Sequence, residues 1–133
     1  MGFHAFTGCD YNSAFFHRGK QVCWKLTEKK PKFVATFCKL RRTSTLEEDL
    51  SIELEEYVSH LYGIKGQNVN RARHAIFNAK LEKQKKICDI SLLPPCKQAL
   101  YLHSLRANFI AHQWRSSLEP ESQLGEVFDN GWI

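Results

Sequence analysis

Apolar residues in this chain recur at helical spacing. Leu50, Leu54, Tyr57, Val58 and Leu61 stand at i, i+4, i+7, i+8 and i+11, which predicts a helix over 46–62. Gly63 follows where a helix stop belongs. Asn70 is placed to cap a further helix, with Ala72, Ala75, Ile76 and Ala79 inside and Arg71, Arg73 and Lys80 outside. Leu93-Pro94-Pro95 introduces the longest helix, 95–118, striped by Ala99, Leu102, Leu105, Phe109, Ile110, Gln113 and Trp114. Two shorter helices come earlier. One covers 20–28, with Val22, Cys23 and Leu26 on one face. The other opens at Pro31, a residue suited to a first helical turn, and carries Phe33, Val34, Phe37, Cys38 and Leu40.

The remaining segments lack this period. Residues 1–13 are rich in Gly, Thr, Asn and Ser and read as a loop, with Asn12 or Ser13 as a cap for the apolar turn 14–16. That turn stops at His17-Arg18-Gly19, where glycine suits a positive φ. The tail 119–133 holds Pro120, Gly125 and Gly131. It is expected to lie extended over the helices, pinned by Leu124, Val127, Phe128 and Trp132. No segment alternates with period two. The expected fold is all-α, a five- or six-helix assembly. A basic helix–turn–helix-like hairpin (1–45) packs on a helical bundle (46–118), and the extended tail (119–133) completes one unit.

Composition narrows the classes. In 133 residues, 43% are apolar and 25% charged, which excludes a wholly disordered chain. No apolar run approaches the ~20 residues of a membrane span, so no membrane role is expected. The first residues resemble no signal peptide, and Phe6 stands where a myristoylation motif needs Ser or Thr. Five cysteines, at 9, 23, 38, 88 and 96, include no Cys-x-x-Cys pair. They read as reduced thiols of an intracellular protein, nuclear more readily than cytoplasmic, with Cys23 and Cys38 as small core residues. A zinc site from Cys88, Cys96 and His103 fits no standard ligand spacing. Trp24, Trp114 and Trp132 read as packing anchors, and His103 and His112 as surface or packing histidines.

Charge is uneven. The net value is +5, but between Arg18 and Arg42 nine basic residues face one acid, Glu28. Glu47, Glu48, Asp49, Glu53, Glu55 and Glu56 then read as an exposed acidic helix face. A basic stretch of this kind suits either a polyanion or plain solvation.

Residues 6–20, Phe6-Thr7-Gly8-Cys9-Asp10-Tyr11-Asn12-Ser13 followed by Phe15-Phe16-His17-Arg18-Gly19-Lys20, resemble a junction in flap-endonuclease and XPG-type nucleases. There a Gly-Cys-Asp-Tyr turn ends the PIN-like core and leads into a helix–two-turn–helix of form Gly-x-Gly-x-Lys/Arg. Nearly the whole chain is similar to the C-terminal part of Asteroid-like, PIN-like proteins of mobile-element origin. The similarity includes Leu93-Pro94-Pro95-Cys96, Arg106-Ala107-Asn108 and Asp129-Asn130-Gly131-Trp132. The resemblance implies that Asp10 is the last of several carboxylates holding two Mg²⁺ ions. Only nine residues precede Asp10, so this chain alone is expected to be without catalysis and to need no cofactor. Mg²⁺ would enter only if a complete nuclease site were assembled with a partner chain. The resemblance also implies a phosphate clamp built from Arg18, Gly19, Lys20, Lys25, Lys29 and Lys30 on duplex or branched DNA. His17 replaces the first glycine of that clamp. The competing expectation is a structural or protein-interaction domain that self-associates through Phe6, Phe15 or Trp132.

Overall fold

The computed structural model describes residues 1–40, 42–43, 45–66, 68–84, 89–119 and 127–132. The described residues form six α-helices and no strand: α1 (Gly2–Thr7), α2 (Lys20–Lys29), α3 (Pro31–Lys39), α4 (Glu48–Leu61), α5 (Val69–Gln84) and α6 (Lys97–Ser116). Short 3-10 turns cover Ile90–Leu92 and Phe128–Asn130. The fold is all-α, as the periodicity predicts. No helix among the described residues is long and apolar enough to cross a membrane.

The main departure lies at the N-terminus. The segment expected to be a loop opens with α1, whose Ala5, Phe6 and Thr7 are buried. Six residues are too few to show a periodic stripe, and α1 is held by tertiary packing against α3 and α6. Phe6 is the hub of an aromatic cluster. Its ring centroid lies 5.4 Å from Phe15, 5.7 Å from Phe37, 6.1 Å from Tyr57 and 5.1 Å from His103. Phe33 and Phe37 meet Tyr57 edge-on at 5.1 and 4.9 Å, the geometry aromatic quadrupoles favour. Phe6 and Phe15 are therefore core residues, and the self-association expected of them would have to involve buried side chains. After α1, Gly8 adopts φ +118°, and a Cβ there would fall 2.8 Å from that of Ala14, so only glycine fits.

The stripe predicted for α4 is buried as a set: Leu50, Leu54, Tyr57, Val58 and Leu61. The helix ends in a Schellman motif. The Gly63 N–H donates to the His60 carbonyl and the Ile64 N–H to the Ser59 carbonyl, both at 2.9 Å, with Gly63 at φ +84°. The expected acidic face is interrupted, because Glu55 is buried. Its Oε1 accepts the Val69 N–H at 2.9 Å and its Oε2 lies 3.8 Å from Lys97 Nζ, which ties α4 to the starts of α5 and α6.

Other expectations shift by a position or a face. Asn68, not Asn70, caps α5 by accepting the Arg71 N–H. Asn70 Oδ1 instead accepts the Lys97 N–H at the start of α6, at 2.9 Å. Of the α5 alanines only Ala72 is buried, and Arg73 turns partly inward to donate to the Pro94 carbonyl at 2.7 Å. The buried face of α6 is Leu100, His103, Ser104, Ala107, Asn108, Ile110 and Ala111, rotated from the predicted stripe because three of its members are polar. Val22, Val34 and Cys38 are exposed, whereas Cys23 is buried as expected. In the tail, Trp132 packs edge-on against Phe109, and Val127 and Phe128 are exposed rather than pinned. Leu124 lies outside the described residues.

Candidate nucleic-acid interface

The turn before α2 sets the geometry. The Arg18 N–H donates to the Phe15 carbonyl at 3.0 Å, closing a β-turn over Phe16 and His17. His17 takes φ +53°, a left-handed conformation that glycine adopts without strain. The expected positive φ thus falls on His17. Gly19 has φ −65° and ψ 161° and is the N-cap of α2, with no side chain capping the helix. Apart from its chain neighbours, no residue comes within 4 Å of where a Gly19 Cβ would stand, and residues 19–22 at the start of α2 are exposed.

The seven basic residues from Arg18 to Lys39 divide into three groups. Arg18 and Lys20 are tied back to neighbouring helices, Arg18 half-buried and Lys20 exposed. Arg18 Nε donates to the Leu61 carbonyl at 3.2 Å, and its guanidinium sits 4.7 Å above the Tyr62 ring, so it closes the C-terminus of α4. Lys20 Nζ donates to Thr7 Oγ1 at 3.0 Å and to the His4 carbonyl at 3.4 Å, which caps α1. Burial lowers the Lys20 pKa from its ordinary value. Lys32 and Lys39 pair with Glu56 and Glu53 on α4. Burial acts to raise the Glu53 pKa, but hydrogen bonds from Lys39 and Thr36 outweigh it and the carboxyl titrates below its usual range. Lys25, Lys29 and Lys30 form the third group. Lys25 and Lys29 are exposed one turn apart on α2, and the Lys30 ammonium lies 5.7 Å from the Phe33 ring. Arg41 lies outside the described residues.

Asp10 is exposed on the turn between Cys9 and Asn12, which exchange backbone hydrogen bonds at 2.9 and 3.3 Å. A single exposed carboxylate does not fit a two-metal centre. Among the described residues no group of three His, Cys, Asp or Glu side chains converges as metal ligands. His103 Nε2 is engaged by the Phe6 carbonyl at 2.6 Å, Cys96 is exposed, and Cys88 lies outside the described residues. His4 stacks on Trp114, with ring centroids 5.6 Å apart.

Sequence reasoning misses Asn12. Rather than capping a helix, it is buried, donates Nδ2 to the carbonyls of Ala5 (3.0 Å) and His103 (3.4 Å), and accepts from Arg106 Nε at 3.3 Å. One side chain thereby joins α1, α6 and the turn that carries Asp10. Beside that turn runs an apolar groove of about 530 Å³, walled by Tyr11, Phe109, Trp114, Val127 and Trp132. Comparison with protein-family models, curated proteins and solved structures returns no match to this chain.

Proposed function

We propose that this chain is a non-catalytic module that grips the backbone of duplex or branched nucleic acid through the start and outer face of α2. One observation carries the reading: the α2 first turn is open and uncapped, and Lys25 and Lys29 stand exposed on the same helix. Free backbone N–H groups and the partial positive charge of a helix start favour a phosphate, and lysines further along the helix extend the contact. Arg18 and Lys20 take part as braces that hold the turn, not as phosphate ligands. The test is a gel-shift titration on a branched duplex at several salt concentrations. With Lys25, Lys29 and Lys30 engaged, log affinity should fall with log salt at a slope of about −3. The Lys25→Glu/Lys29→Glu variant should bind at least about tenfold more weakly, with a shallower slope. Salt-independent binding, or a variant that binds like the parent chain, would rule the reading out.

A second reading, a protein-docking role, has its own observation in the apolar groove between Asp10 and Trp132. Tyr11 at 67% exposure and Phe128 at 65% are large apolar groups that a partner would cover.

A further inference from the structure

A second cavity, of about 320 Å³, opens between the Ser13–Phe16 segment, the Ser91 turn and the first half of α6. Its polar lining includes Arg73, Arg106, Ser13, Ser91 and His103, and among the described residues it includes no Asp or Glu. Arg73 donates Nη1 to the Pro94 carbonyl, and Arg106 donates Nε to Asn12 and Nη1 to the Gly131 carbonyl. Among the described residues neither guanidinium has a carboxylate partner. Five N–H donors per guanidinium leave several of each uncommitted. Asp89, which precedes the lining residue Ile90 in the chain, has Oδ1 engaged by the Ser91 N–H at 3.0 Å and hydroxyl at 2.7 Å. The apolar part of the lining includes Phe15, Phe16 and Leu93.

Two arginines lining one recess, with no acid among the described lining residues, favour an anion. Partly desolvated charge is costly without a counter-charge, and a planar fork matches carboxylate or phosphate oxygens. The apolar part of the lining favours a ligand with a hydrophobic body, and the volume is at the small end for ligand sites. We infer that this cavity binds a small organic anion, a carboxylate or phosphate monoester with an apolar ring or branch, its anionic head between Arg73 and Arg106. The site is separate from the α2 surface and does not depend on the nucleic-acid reading.

Titration of the whole chain with benzoate, phenyl phosphate and inorganic phosphate, followed by amide chemical shifts, tests the assignment. Saturable shifts centred on Ser91, Ala99 and His103 are expected with benzoate or phenyl phosphate. Inorganic phosphate should bind more weakly than phenyl phosphate. Arg73→Gln should weaken binding about tenfold by removing a charge-assisted contact. Ala99→Phe tests the site without touching its charges: Ala99 is an exposed residue at the lining, and a ring there fills the recess. It should abolish binding while the fold stays intact. No saturable shift at millimolar probe, or shifts that persist in both variants, overturns the proposal. Equal affinity for inorganic and phenyl phosphate overturns the organic-anion assignment.

Discussion

His103 ties a single side chain to the stability of the fold. It is buried, donates Nε2–H to the Phe6 carbonyl, and packs against the rings of both Phe6 and Phe15. Burial, with a smaller contribution from the Arg106 charge, holds its pKa down at about 4 from an ordinary 6.5. The folded chain thus keeps this imidazole neutral where the unfolded chain would protonate it. Its contribution is fully present above pH 6.5 and is lost as pH falls from 6.5 towards 4. Between pH 7.5 and pH 5 the loss is about 2 kcal/mol. His103→Gln retains an N–H donor for Phe6 and removes the titration. Urea unfolding at the two pH values should show a smaller acid-side loss for the variant than for the parent chain, and equal losses would refute the assignment.

At the scale of the helices, Glu55 acts as a joint. The buried N–H of Val69 at the start of α5 has the Glu55 carboxylate as its acceptor, and the start of α6 sits beside the same group. Glu55→Ala should cost about 1–3 kcal/mol, the usual penalty for orphaning a buried donor. Glu55→Gln keeps an acceptor oxygen and should cost clearly less. Hydrogen exchange at the first turn of α5 separates them, faster in the alanine variant and near parental in the glutamine one.

Glu55 also explains where periodicity stops being informative. Leucine and tyrosine mark the stripe of α4 because burial and hydropathy agree there. Glu55 sits among acids on the flank of that stripe, and its burial follows from a partner on another helix. The same holds on α6, whose core face includes His103, Ser104 and Asn108. Each has a backbone acceptor: Phe6 for His103, Leu100 for Ser104 and Thr43 for Asn108. The Leu100 carbonyl is local to α6, but those of Phe6 and Thr43 come into reach only once the chain is folded. In the candidate interface, a run of basic residues is plain in the sequence. Which of them face outward depends on Leu61, Thr7, Glu53 and Glu56, distant in sequence from the residues they engage.

Across the whole molecule, one apolar cluster draws on α1 through α6. The hairpin of α2 and α3 is joined to α4 by Tyr57, whose hydroxyl donates to the Cys23 carbonyl at 2.9 Å and meets Thr27 Oγ1 at 3.3 Å. The tryptophans stand outside this centre. Trp24 is 48% exposed against Phe3, Trp114 stacks on His4, and Trp132 meets Phe109 at the apolar groove. Intrinsic emission therefore reports the surface, and it reports different surfaces separately. A polyanion on α2 should perturb Trp24, next to Lys25. A protein in the groove should shift Trp114 and Trp132, which line it. An organic anion between Arg73 and Arg106 meets no tryptophan in its lining and should leave the spectrum nearly unchanged. Single Trp→Phe variants would assign each optical change to its surface, so the chain carries its own colour code for which face is occupied.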